Sequence, residues 1–184
     1  MTDLVPTKVF FIKGKGVHRE KLASFELALR DAGIAHFNIV EVSSILPPDC
    51  EIITSTKGLR MLRPGQIVYM VLSQNSSREA GRLISAAIGC AIPQDRGRYG
   101  YISEYHGFGV RASEAGEYAE DLAAEMLAST LGIPFDADAS YDEKREAFRF
   151  GGRIVRTRHV VQTARCASND KWTTVVAAAV FVME

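Results

Sequence analysis

Ser43 and Ser44 are the residues of this 184-residue chain whose setting most invites a chemical reading. They follow the strand-like run 37–42 (FNIVEV) and precede Ile45, Leu46, Pro47 and Pro48. Serine hydroxyls at a strand end commonly hydrogen-bond the nearby backbone, which is the simplest account of such a pair. The flanking residues argue for more. Two prolines stiffen the chain and forbid regular ladder pairing, so a tight bend is expected. A serine held there in a strained conformation can aim its Oγ at the carbonyl of the preceding residue, a geometry that favours chain cleavage.

Other reactive side chains are less suggestive. His18, His36, His106 and His159 fall near a helix start, in a loop, at a glycine-rich strand end and in a strand. None has a second ligand at i+2 or i+4, so metal binding is not expected. His106 stands out only because it follows Glu104 and Tyr105 beside flexible glycines. Gly14, Lys15 and Gly16 suggest a phosphate loop, since helix N-terminal amides attract anions. Arg19 stands where a third glycine would be needed, so the motif reads as an ordinary turn. Cys50, Cys90 and Cys166 are far apart with no C-x-x-C spacing, which suggests reduced thiols in a cytoplasmic setting rather than a disulfide framework or zinc site.

Composition bounds the class. With 47% hydrophobic and 24% charged residues the chain is ordinary for a soluble globular protein, and its length suits a single domain over 1–184. Lys plus Arg and Asp plus Glu each number 22, so no global field recruits nucleic acid or an anionic membrane. The N-terminus carries Asp3 and Pro6 where a secretory signal would be basic and then apolar. The longest apolar run, 175–183, falls short of the roughly 20 residues of a membrane span and reads as a buried strand.

Strands are expected over 8–13, 37–42, 66–73 and 99–105, from their β-branched and aromatic residues and their Gly or Pro boundaries. Over 17–32, Leu22, Phe25, Leu29 and Ala32 recur at helical spacing. Leu83, Ala86, Ala87 and Cys90 do the same, predicting a buried helix over 78–92 after a polar loop at 74–77. A long helix over 114–131 is capped by Ser113 and stopped by Gly132 and Pro134. The stretch 52–64 has no firm assignment, and 134–152 reads as a long charged loop with a helical turn. Two β-rich runs, 154–165 and 172–182, are joined by a hairpin-like Ala-Ser-Asn-Asp. The fold class is α/β: a layered sandwich with a mixed, largely antiparallel sheet covered by helices and ending in a β-hairpin.

Several blocks resemble the pyruvoyl-dependent arginine decarboxylases. They are Phe25-Glu26 with Asp31-Ala32-Gly33-Ile34, Asn38 before Ser43-Ser44-Ile45-Leu46-Pro47-Pro48, Ile84-Ser85-Ala86-Ala87-Ile88 leading to Ala91-Ile92-Pro93, and Gly100-Tyr101-Ile102-Ser103-Glu104-Tyr105. The resemblance implies that Ser44 is the precursor of a covalent pyruvoyl cofactor. Its Oγ would attack the Ser43 carbonyl, and β-elimination would separate residues 1–43 from 44–184. Loss of ammonia would then leave a ketone that forms a Schiff base with the substrate amine and accepts the electrons released with CO₂. The implied reaction converts L-arginine to agmatine, at the entry to polyamine synthesis, with no metal and no diffusible cofactor.

Other roles follow from the same resemblance. Glu104 matches the family's acid, and a carboxyl walled by apolar and aromatic neighbours holds its proton to higher pH. Asn38 matches an asparagine that supports processing and positions the reacting group, and Ser73 matches a serine near the processing site. Asn38 and Ser44 would lie roughly 20 Å apart on one extended strand at ~3.3 Å per residue. Either the chain bends sharply after Val42 or Asn38 serves a neighbouring subunit, and the family builds its sites between protomers of a trimer. The family binds the substrate guanidinium with an aspartate where this chain has Glu26, which alternatively pairs with Arg30 on one helix face. Two other readings stay open: a pyruvoyl decarboxylase of another amino acid, and an uncleaved, non-catalytic oligomer that binds a small cationic ligand or a protein.

Overall fold

The computed structural model describes residues 4–132 and 154–183. Among these residues the order is β1 (Lys8–His18), α1 (Lys21–Asp31), β2 (Asn38–Glu41), β3 (Ile45–Leu46), β4 (Glu51–Ile52), α2 (Ser55–Arg60), β5 (Ile67–Ser77), β6 (Leu83–Pro93), β7 (Gly100–Phe108), α3 (Ala112–Leu131), β8 (Ile154–Arg165) and β9 (Trp172–Val182). The strands form two sheets, one ordered β2-β5-β9-β1-β4 and the other β3-β7-β6-β8. Only β1–β4 and β2–β5 are parallel, so the sheets are mixed and largely antiparallel. The two last strands follow one another as expected, and their connection crosses between sheets: β8 pairs with β6, while β9 pairs with β1 and β5.

The period of two along a strand sorts side chains into layers. Val176, Ala178, Val180 and Val182 of β9 join Phe10, Met70 and Leu72 in a cluster with Ala28 and Leu29 of α1. The alternate residues, Val175, Ala177, Ala179 and Phe181, join Val9 and Val71 against Ile84, Ile88, Cys90 and Ile102 of the other sheet. On the far side of that sheet Ala87 and Ala91 meet Ala115, Ala119, Ala123 and Leu127 of α3. The layers therefore run helix, sheet, sheet, helix. Each fully buried aliphatic side chain in them contributes roughly 1.5–3 kcal/mol of transfer free energy.

Three expectations change. The helix expected over 78–92 is the strand β6, buried from Ile84 to Pro93. A strand covered on one face by a sheet and on the other by a helix loses its polar alternation, and its alanines then fall at helical spacing by coincidence. At Gly89 an added Cβ would lie 2.0 Å from the Ala119 carbonyl oxygen, so the α3 backbone rests directly on β6. Gly14 and Gly16 do not form a turn but lie inside β1. Side chains there would lie 2.2 Å from the Ala28 and Ser24 carbonyl oxygens of α1, so these glycines serve helix–sheet approach, and no phosphate loop is formed. Residues 74–77, expected as loop, continue β5.

Smaller differences concern ends. α1 begins at Lys21, later than the periodicity suggests. α3 begins at Ala112 with Arg111 at its N-cap, where the Arg111 N–H donates to Glu114 Oε2 at 3.4 Å, and Gly132 closes it at φ 66°. The undecided stretch 52–64 contains α2, whose cap Thr54 accepts from the Lys57 N–H at 3.3 Å. The stretch 134–152 lies outside the described residues. Among the described residues no helix is long and apolar enough to cross a membrane.

Candidate active site

The chain changes sheets at the serine pair. β2 runs parallel to β5 from Asn38 opposite Ile67 to Glu41 opposite Met70, and the Val42 N–H still donates to the Met70 carbonyl at 2.9 Å. Two residues later the Ser44 carbonyl accepts from the Ile102 N–H at 2.7 Å, and Ile45 and Leu46 pair with Tyr101 and Gly100 of β7. Val42 thus belongs to one sheet and Ser44 to the other. Pro48 and Asp49 then occupy the centre of a reverse turn closed by the Cys50 N–H on the Pro47 carbonyl at 3.3 Å, with Asp49 at φ 55°. The proline pair turns the chain back to the first sheet, where β4 lies beside β1.

The bend itself centres on Ser44. The Ile45 N–H donates back to the Ser43 carbonyl at 3.1 Å, the i to i+2 pattern of a γ-turn. Ser43 is exposed and Ser44 half-buried. Neither hydroxyl hydrogen-bonds another described residue, so the local-backbone role that serines commonly take at strand ends is not filled here.

Glu104 lies two residues beyond Ile102 on β7, roughly 7 Å further along the strand. Ile102 packs between the sheets, so by alternation Glu104 and His106 project to that same side. Partial burial pushes the Glu104 carboxyl above its ordinary pKa, the negative charge of Glu41 raises it further, and His106 acts in the opposite direction. Glu41 is the last residue of β2, and it forms no ion pair with another described residue.

Among the described residues β3 pairs with β7 only at its start. Side chains of β5 reach β7 from the facing sheet. Ser73 Oγ donates to the Tyr105 carbonyl at 2.6 Å, and Asn75 Nδ2 donates to the Gly107 carbonyl at 2.8 Å. Ser73 and Asn75 are only 1% and 9% exposed, so these bonds form away from water and hold the Glu104 strand against β5.

Ser43, Ser44, Ser73 and Glu104 therefore gather at one junction. Asn38 and Glu26 do not join them within one chain. Asn38 starts β2 and its Nδ2 donates to the Gly65 carbonyl at 2.8 Å. The chain does bend after Val42, yet the bend leaves Asn38 at the other end of its strand. Glu26 lies on α1, and its Oε1 accepts from Arg30 Nη2 at 2.7 Å, the i,i+4 pairing that the spacing allows. Sequence reasoning passed over Asn75 and Glu41. Asn75 could have been found by extending the alternation Tyr69, Val71, Ser73 two residues further, whereas Glu41 carried no signal beyond its nearness to Ser44. The thiols stand apart from this chemistry: burial pushes Cys90 up to about 12 and Cys50 up to about 11, so both stay protonated.

A two-sheet sandwich whose crossing peptide is a serine pair, next to a carboxyl of raised pKa, suits a site in which the chain provides its own carbonyl group. A family model described as pyruvoyl-dependent arginine decarboxylase matches residues 8–184. The chain is 50% identical over 183 residues to the pyruvoyl-dependent arginine decarboxylase of Nitrosopumilus maritimus, with 100% of both chains covered. It is 54% identical over 180 residues to that of Methanococcoides burtonii, covering 98% of this chain and 100% of the relative. A probable pyruvoyl-dependent arginine decarboxylase of Chloroherpeton thalassium is 53% identical over 178 residues, covering 97% and 98%. The chain belongs to this family of carboxy-lyases. The Ser44 hydroxyl, which bonds no other described residue and follows the Ser43 carbonyl, would fit a pyruvoyl group formed at position 44.

Proposed function

We propose that the chain cleaves itself between Ser43 and Ser44, converts Ser44 into a covalent pyruvoyl group and decarboxylates L-arginine to agmatine and CO₂. The observation that carries this reading is the γ-turn at the sheet change, where the Ser44 hydroxyl bonds no other described residue and follows the carbonyl it must attack. In the first step Ser44 Oγ adds to the Ser43 carbonyl carbon, the C–N bond breaks and the hydroxyl proton ends on the Ser44 nitrogen. The resulting ester loses the Ser43 carboxylate by β-elimination, separating residues 1–43 from 44–184. Water then replaces nitrogen on the dehydroalanine at position 44, releasing ammonia.

The pyruvoyl group supplies a ketone that takes up the substrate amine and the electrons left behind as CO₂ departs, the task pyridoxal performs elsewhere. Glu104 holds a proton to higher pH than an ordinary carboxylate and delivers it to the α-carbon. The Ser73 bond to Tyr105 keeps that strand in place. Asn38 and Glu26 fit a role in the site of a neighbouring subunit, because neither contacts the junction of its own chain. That division fits the trimer of processed protomers, or a multiple of it, that the family resemblance implies, and free Cys50, Cys90 and Cys166 fit a cytoplasmic setting. A substrate guanidinium competes with Arg30 for the Glu26 carboxylate, which is exposed enough to exchange partners.

Intact mass under denaturing conditions tests the reading. Two fragments split after Ser43, the larger lighter than a serine-started chain by the loss of ammonia, are expected. Ser44→Ala is expected to stay full length and inactive. A single full-length wild-type mass after long incubation, with no carbonyl reactivity, would favour the uncleaved ligand-binding oligomer. Comparing turnover of arginine, ornithine, lysine and histidine decides the substrate, and no preference for arginine would sink that part.

A further inference from the structure

We infer that the backbone N–H of Ile45 is the oxyanion donor of the self-cleavage step, an inference that rests on the processing reading above. As Ser44 Oγ adds to the Ser43 carbonyl carbon, the π pair moves onto the carbonyl oxygen. That charge persists until the C–N bond breaks and the ester carbonyl re-forms. A donor that helps must already point at this oxygen and must bind it more strongly when it is charged. The Ile45 N–H does the first, donating to the Ser43 oxygen at 3.1 Å. Charge on the acceptor does the second, since charge-assisted hydrogen bonds are roughly twice as strong as neutral ones.

The surroundings leave this N–H to that task. The ladder bond at this point is made by the Ser44 carbonyl with Ile102, so the pairing of β3 with β7 does not use the Ile45 N–H. The Asn38 amide, which the family resemblance links to processing, is engaged by the Gly65 carbonyl at 2.8 Å and begins the strand that ends before the bend. The γ-turn is therefore more than a device for reversing direction. One turn sets the nucleophile at its centre, the electrophile before it and the donor after it. The three parts lie on consecutive residues, so they are in register before any subunit assembles.

The test removes that N–H in two ways and follows fragment appearance by intact mass during cell-free synthesis of the full chain. Replacing Ile45 by its α-hydroxy acid exchanges N–H for oxygen and leaves every side chain unchanged. The second variant, Ile45→Pro, removes the N–H without introducing an ester. Proline is tolerated at the first residue of a strand, and the Ile45 side chain is already 40% exposed. Cleavage slowed about 10²–10³-fold in the ester variant, the usual cost of one oxyanion donor, is the expected result, with size-exclusion chromatography matching the wild type. Should Ile45→Pro fail to fold, the ester variant decides alone. Cleavage within about threefold of wild type would overturn the inference, as would arrest by Asn38→Ala while the ester variant cleaves normally. Wild-type protein that never cleaves removes the processing reading itself, an outcome visible in the control before any variant is compared.

Discussion

At the centre of the interface between the sheets, Val71, Ile84, Ile88 and Phe181 are packed with almost no exposure, whereas at its β5–β7 edge Ser73 and Asn75 are equally buried but polar. The centre stabilises through area, a force without direction that tolerates small shifts of one sheet over the other. The edge uses hydrogen bonds, whose geometry fixes atoms to within tenths of an ångström. The candidate site sits where the direction is. Ser44 and Glu104 lie at the edge, and the sheet crossing that brings them together is bonded on both sides through the Val42 N–H and the Ser44 carbonyl.

Substitutions can be ranked by how far they should separate the two regions. The largest effect on turnover is expected at Glu104→Gln, which keeps shape and removes the acid: kcat falls about 10²–10⁴-fold, while intact mass still shows two fragments. Unchanged turnover would move the proton donor elsewhere. Gly89→Ala strikes the packed side instead, forcing a Cβ to within 2.0 Å of the Ala119 carbonyl oxygen. It should destabilise the fold by about 3 kcal/mol, read by urea unfolding at fixed protein concentration.

Asn75→Ala removes the shorter of two side-chain hydrogen bonds to the Gly107 carbonyl, leaving that of Ser85 Oγ at 3.3 Å, and should cost about 1 kcal/mol in the same measurement. Turnover per folded protomer should fall as well, and a purely thermodynamic effect would show that the edge does not aim Glu104. The smallest shift is expected from Glu41→Gln. Removing its charge lowers the Glu104 pKa, so the protonated acid is lost earlier as pH rises. The alkaline limb of the kcat profile should move to lower pH. A limb that stays in place or moves up would disconnect the two carboxylates.

Much of this organisation is readable from residue order. The terminal strands fall where their β-branched runs place them, and α3 follows its apolar face to Gly132, because in both cases one face meets water or a turn residue marks the end. Where burial is two-sided the pattern is lost: β6 has no polar alternation, and its small residues, chosen for the approach of α3, look helical. Gly14 and Gly16 mislead for a related reason, since closeness to a helix backbone and freedom to turn demand the same residue type. Ser43 and Ser44 are visible because a proline pair follows them closely, and Glu104 through family likeness. Asn75 looks like any loop polar residue until the strand is seen to continue. The donor at Ile45 has no side-chain signature at all, being a main-chain atom.

The position of the crossing would also govern what a cleaved molecule is. A cut between Ser43 and Ser44 assigns β1 and β2 to the short fragment, and β1 lies between β9 and β4, bonded to β9 along its full length from Lys8 to His18. The short fragment would thus supply one inner strand and one edge strand of a sheet whose other three strands belong to the long one. Before the cut, unfolding and refolding are unimolecular. Afterwards they amount to fragment complementation, in which two partners must meet again and recovery depends on their concentration. Maturation would therefore turn a reversible folder into an assembly whose history matters: one protein formed while its pieces were still joined, and slow to recover once they have parted.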